Sequence, residues 1–185
     1  MKAYSPAIIG MLLSLFIISC GQTTGEKKSE NQGSSGTNST TGLSIETKDV
    51  KGKIQAGDHV KVGSSTLVNN DGTFEEATLG FDHKAGLNIY PAKVAFDTLK
   101  SRLKEKLNIW GTYEKLEEND SSFFYKTVSK TGGINEEGYN FLILKKGKTH
   151  SYILNGEGEN PLKPIGDKTL AEKIYGIART FVPAD

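Results

Sequence analysis

The chain has 185 residues, with 23 Lys+Arg against 22 Asp+Glu and a formal net charge of +1. That balance lacks the basic excess that marks a nucleic-acid partner, so none is expected. The single cysteine excludes an internal disulfide, so an exported fold must stand on its hydrophobic core alone.

The first element is an apolar run. Lys2 and the chain's amine give a positive start, and residues 7–18 follow without a charge, rich in Ile, Leu and Phe. The run is about 12 residues long, the size of a signal-peptide core and short of the ~20 needed to span a bilayer. Ser19 is the small residue that cleavage requires, and Cys20 follows it. An ordinary cleaved signal peptide shares these features except the cysteine. Ile17-Ile18-Ser19-Cys20 resembles the lipobox of bacterial lipoproteins: a branched apolar residue, a tolerated position, a small residue, then cysteine. The resemblance implies cleavage between Ser19 and Cys20, a diacylglyceryl thioether on Cys20, and a new amine open to acylation. Two or three acyl chains suffice for stable anchoring, at ~0.8 kcal/mol per buried CH₂. The implied location is the cell envelope, with the outer membrane expected and the domain facing the periplasm or the surface.

On this reading residues 1–19 are the signal peptide, 20–43 the lipidated cysteine and tether, and 44–185 one domain. The tether, residues 21–42, carries no aliphatic or aromatic side chain. It cannot bury enough surface to offset chain entropy. A flexible coil of that length spans about 25 Å. Lys27-Lys28 are flanked by Glu26 and Glu30, which suits a solvated spacer.

Residues 43–89 read as strands with turns. Ile45, Val50 and Ile54 are the apolar positions of the first part, and His59 to Val62 alternates. Thr66-Leu67-Val68 and Thr73-Phe74 flank Asn69-Asn70-Asp71-Gly72, a hairpin signal. Short strands at 79–81 and 87–90 surround a turn at Lys84-Ala85-Gly86. A helix is predicted over 91–108, starting on Pro91, with Ala92, Ala95, Phe96, Leu99, Leu103 and Leu107 on one stripe. Its basic residues are read as a solvated face matched to the helix dipole.

Strands are predicted at 112–116, 122–128, 139–145 and 148–155, the last two joined at Lys146-Gly147. Phe141, Leu142, Ile143 and Leu144 are apolar on both faces, so their strand belongs inside a sheet covered on each side. A second helix spans 167–181, capped by a Thr169/Glu172 box or by Asp167, with Leu170, Ile174, Ile177, Ala178 and Phe181 on one face. Pro183 ends it. The expected class is α+β: an antiparallel sheet packed with two amphipathic helices. The element order over about residues 60–185 resembles the PsbP/Mog1 α/β sandwich of photosystem accessory proteins, a nuclear-transport factor and many bacterial lipoproteins. Such a likeness implies a fold and leaves function open.

Chemical motifs are sparse. Gly147-Lys148-Thr149 is half a phosphate loop, but the glycine needed five residues earlier is Leu142. Around Asn69–Gly72 a calcium loop would put Leu67 first and Thr78 twelfth, where carboxylates are needed. Gly156–Asn160 reads as an acidic, flexible, solvated loop. His59, His83 and His150 lack metal-ligand spacing. The paired glutamates at 75–76, 117–118 and 136–137 point to opposite faces of a strand. No Gly-x-Ser-x-Gly occurs. No catalytic residue, metal or cofactor is therefore expected. Phe123, Phe124, Tyr125, Tyr139, Phe141 and Tyr152 concentrate in the sheet. About half should face the core, and an exposed remainder would be a binding patch. Trp110 is expected in the core, with such a patch as its alternative place. The function expected is a non-enzymatic, lipid-anchored binding or interaction module. The alternative is an envelope hydrolase, which would gather a histidine and carboxylates in a deep pocket.

Overall fold

The computed structural model describes residues 42–57, 60–69, 72–82, 84–131, 134–159 and 163–184. The signal run, Ser19, Cys20 and nearly all of the tether lie outside them, as do Asp58, His59, Asn70, Asp71 and His83. The strands are β1 Leu43–Glu46, β2 Lys51–Ile54, β3 Val60–Asn69, β4 Gly72–Phe81, β5 Ala85–Pro91, β6 Thr112–Glu118, β7 Ser122–Thr131, β8 Ile134–Lys146, β9 Ser151–Gly158 and β10 Val182–Pro183. The helices are α1, Phe96–Trp110, and α2, Lys168–Arg179.

Seven strands make one antiparallel sheet in the order β3-β4-β5-β9-β8-β7-β6. Two meanders, β3 to β5 and β6 to β9, meet where β5 pairs with β9. A small second sheet has the order β1-β2-β10. Alternation along β8 shows how the layers form. Phe141 and Ile143 face α2 and the small sheet, packing with Ile174, Tyr175, Ala178, Ile45, Val50 and Ile54. Leu142 and Leu144 face the other way, toward Phe96, Leu99 and Leu103 of α1. The fold is thus α+β, an antiparallel sheet carrying one amphipathic helix on each face.

The ends of the elements have local causes. Asp167 Oδ1 accepts from Leu170 N at 2.7 Å, so the aspartate caps α2 rather than the Thr169/Glu172 box. Helix α1 starts at Phe96, five residues later than Pro91 predicts. Pro91 is paired with Tyr152, and Ala92 N donates to Ser151 O at 2.8 Å. Pairing with β9 holds this stretch extended, while Phe96, Leu99 and Leu103 keep the predicted stripe. The β3–β4 ladder ends at Asn69↔Gly72, where the hairpin signal places its turn. The following turn is closed by Lys84 N donating to Phe81 O at 3.0 Å, with Asp82 at φ 49°, because Ala85 and Gly86 join β5. Residues 156–158 are strand, not the predicted loop. Gly156 and Gly158 are buried, and a Cβ on Gly158 would stand 2.4 Å from Pro164 O. Beyond α2, Val182 and Pro183 turn back to pair with β2.

Leu142 is 9% exposed and Ile143 3%, on opposite faces of β8. Truncating either to Ala should cost about 2–5 kcal/mol in urea unfolding. A loss below about 1 kcal/mol for either would mean that its face is open.

Candidate functional site: a polar groove beside helix α1

Helix α1 leaves β5 in mid-sheet and must reach β6 at the edge. It therefore lies over β9, β8 and β7, with Phe96 on Leu142 and Ile153. Lys104 Nζ sits 5.1 Å from the Phe123 ring centre. The same face of β4 and β5 extends beyond this path. Register fixes its residues: Leu142 pairs with Asn155, Asn155 with Asn88, and Asn88 with Thr78. Tyr90 and Glu76 lie to one side of that row, and Glu157 to the other. Next to Glu157 in its own row come Gly86 and Gly80, a pair without side chains. A Cβ on Gly86 would meet Glu157 Oε2 at 3.9 Å, so the carboxylate leans over a bare floor. Glycine inside a strand weakens pairing and marks a place of close approach.

Asn88 Nδ2 donates to Glu157 Oε2 at 2.8 Å, which orients the amide. Asn88 Oδ1 is then buried without a hydrogen-bond partner among the described residues. Ser65 Oγ, on the edge strand, donates to Glu76 Oε1 at 2.7 Å. Tyr90 stacks on Phe74 at 5.8 Å, and Tyr125 on Phe123 at 4.9 Å. Tyr125 is only 5% exposed.

The charges act on one another. Burial raises the Glu76 carboxyl above its usual range, Ser65 opposes this, and the Glu157 charge adds to it. Burial and the Glu76 charge push the Tyr90 phenol up. Burial and Tyr90 do the same to Tyr125. Neither Glu76 nor Glu157 joins an ion pair among the described residues. The acids of β6 behave differently. Glu118 meets Lys104 at 2.7 Å and Lys100 at 3.4 Å. Those ammonium groups hold it down at about 2. Glu117, on the other face, accepts from Tyr175 Oη at 2.8 Å and Ser122 Oγ at 3.2 Å.

This part of the sheet face presents carboxylate oxygens and the half-buried Tyr90. Its nearest candidate bases are carboxylates, and His150 is not among them. His150 lies exposed in the β8–β9 turn beside Thr149. Gly147-Lys148-Thr149 forms that turn. Glu75 and Glu76 diverge: Glu75 accepts from Lys48 N at 2.9 Å while Glu76 meets Ser65. Glu137 pairs with Lys126 at 2.7 Å, and Glu136 is exposed. Trp110 ends α1, and its side chain lies outside the described residues. Among the described residues no three His, Cys, Asp or Glu gather to hold a metal. The aromatic cluster forms no exposed patch: Phe123, Phe124, Tyr125, Tyr139, Phe141 and Tyr152 are all buried, because both faces of their strands are covered. Asn88, Glu76 and Glu157 had no local signal beyond a polar residue in an apolar strand.

Compared with known proteins, the chain matches no family model, no curated protein and no solved structure.

Glutamine substitutions should separate the two kinds of acid. Glu76 binds its proton more tightly folded than unfolded, so wild type loses stability as pH rises from about 4.5 through the raised value. Glu76→Gln should lack that loss, and its urea midpoint should gain on wild type across that window. Glu118 is the reverse. Its contribution is present above the ordinary range and fades as pH falls to about 2, so Glu118→Gln should be less stable at neutral pH and equal to wild type in acid.

Proposed function

We propose that this protein is a lipid-anchored cell-envelope binding module whose ligand completes the groove beside α1. The observation that carries the binding reading is the one buried acceptor left unpaired there among the described residues. A buried acceptor without a donor costs about 1–3 kcal/mol. Asn88 Oδ1 is such an acceptor. Folded chains keep unsatisfied groups where function uses them. The carboxylates of Glu76 and Glu157 add like charges that join no ion pair among the described residues.

The anchor rests on Ile17-Ile18-Ser19-Cys20 and on Cys20 being the chain's sole cysteine. In this reading residues 1–19 are removed, Cys20 is lipidated, and the segment to residue 43 tethers the domain to the membrane. The outer membrane is the proposed site. The sheet between helices supports the resemblance to the PsbP/Mog1 sandwich, and the near-neutral charge supports a partner other than nucleic acid.

Cys20→Ser should abolish labelling by a palmitate analogue and leave the protein unprocessed or released from the membrane fraction. A variant still cut before position 20 and still lipidated would overturn the anchor. Deleting residues 21–42 should move the melting temperature by less than about 2 °C, since such a segment buries no apolar area. For the groove, a photo-crosslinking residue at Thr78 should capture an envelope component. The same residue at Lys173, exposed on α2, should not. Equal labelling at both positions would defeat the binding reading.

A further inference from the structure

The long sheet has two edges, and they are built differently. A strand edge presents unpaired N–H and C=O groups, which sheets shield with charge, bulges, proline or shortness. At one end β6 carries Glu114, Lys115, Glu117 and Glu118, with a register shift between Lys115 and Glu117. The edge strands of the small sheet, β1 and β10, are four and two residues long. At the other end of the long sheet β3 has none of these devices. It runs for ten residues with Lys61 as its sole charge and without proline. Its ladder to β4 keeps one register from Val60↔Phe81 to Asn69↔Gly72. Val62 is 47% exposed and Val68 70%, both on the α2 face of the sheet by alternation from Leu79.

The hairpin decides which backbone groups of β3 point outward. Two residues separate Asn69 from Gly72, and a two-residue loop closes on a pair that exchanges both hydrogen bonds. Alternation then turns the N–H and C=O of Val62, Ser64, Thr66 and Val68 away from β4. No strand among the described residues pairs with that side.

We propose that β3 is the docking edge for a second copy of this chain, the two β3 strands pairing antiparallel about a two-fold axis at Ser65. An axis normal to the sheet keeps each side chain on its own face, so it passes through a residue. At Ser65 it sets Val62 against Val68 twice, which covers the exposed valines with each other. Ser64 meets Thr66 twice, a favourable cross-strand pair. Lys61 comes opposite Asn69, so no like charges meet. Gly63 falls opposite Leu67 of the second copy. A Cβ on Gly63 would meet nothing within 4 Å, so the larger side chain has room there. Moving the axis to Ser64 would set Lys61 on Leu67, and moving it to Thr66 would set Val68 on Ser64. The outward residues make about eight backbone hydrogen bonds across the axis, in the range of a specific interface. The segment 21–42 is the poorer occupant, since it has no aliphatic or aromatic side chain to cover the valines.

The test is disulfide trapping in the full chain with Cys20→Ser, purified in detergent, so that an introduced thiol stands alone. Ser65→Cys lies on the axis in a pair without hydrogen bonds, its Cα about 4.5 Å from its mate and within disulfide reach. Gly63→Cys shares its face and strand but lies about 13 Å from its mate, four residues along. Mild oxidation should link Ser65→Cys and leave Gly63→Cys largely unlinked. Light scattering of the chain with Cys20→Ser alone should give two copies per particle, falling to one on dilution. Val68→Lys should weaken that association about tenfold or more, because the two-fold makes two valine pairs fail at once. Val62→Lys is the second variant, and circular dichroism shows which of them folds. One copy at every concentration, equal linking at positions 65 and 63, or a folded lysine variant that associates as tightly as its parent would each overturn the proposal.

Discussion

The double burial of β8 sets the terms for the rest of the fold. Phe141 and Ile143 project from one face, and Leu142 and Leu144 from the other. Neighbouring β9 repeats the pattern, with Tyr152 and Leu154 opposed to Ile153. Apolar groups on both faces require two covers. Helix α2 and the small sheet supply one, and α1 supplies the other. The second cover is partial because of how α1 is threaded. It joins a central strand to an edge strand, so it shields only the strands it crosses. The groove is the part of that face beyond its path.

Strand β6 shows what an acid does when its work is structural. Glu117 and Glu118 are adjacent, so they point to opposite faces. Glu118 fastens α1 to the sheet through Lys100 and Lys104. Glu117 fastens α2 through the Tyr175 hydroxyl, with Arg179 at 3.8 Å. One dipeptide thereby ties both helices to the same edge. Glu76 and Glu157 have no such duty. Each accepts one hydrogen bond from a small polar side chain within the sheet, and the Glu157 charge acts on Glu76.

Much of this architecture was legible in residue order. The Phe141–Leu144 run announced a strand covered on both sides, and the NNDG turn placed the β3–β4 hairpin. The 3.6-residue period of Leu170, Ile174 and Ala178 marked α2. What misled were stretches where distant pairing outweighs local preference. Pro91 looks like the start of a helix, yet β9 holds it in the sheet. Gly156 to Gly158 look like a loop by composition, yet Leu87 pairs with Gly156 and Gly86 with Glu157. The groove was the least legible feature. Its members come from β4, β5, β7 and β9, and no spacing within one segment brings them together. Asn88 between Leu87 and Ile89 looks like an ordinary half-exposed strand position.

The glycines turn these departures into one argument. Gly80 and Gly86 face each other across β4 and β5, on the α1 face of the sheet, Gly80 half-buried and Gly86 buried. Gly156 and Gly158 alternate with Glu157 on β9, and their Cβ positions are occupied on the opposite face by Phe141 and by Pro164. The latter pair is demanded by packing, since a Cβ on Gly156 would come within 2.9 Å of the Phe141 ring. The former pair is not. A Cβ on Gly80 would meet nothing nearer than Lys61 O at 3.9 Å, and on Gly86 nothing nearer than Leu79 O at 3.6 Å, both ordinary contacts. Packing alone would accept alanine at either, with a gain in strand preference. What alanine would remove is the bare floor under Glu157. The structure thus has glycine where its own stability does not ask for it, in the row beside an unpaired amide oxygen. Those two facts, independent of any charge, mark the same place as the carboxylates do.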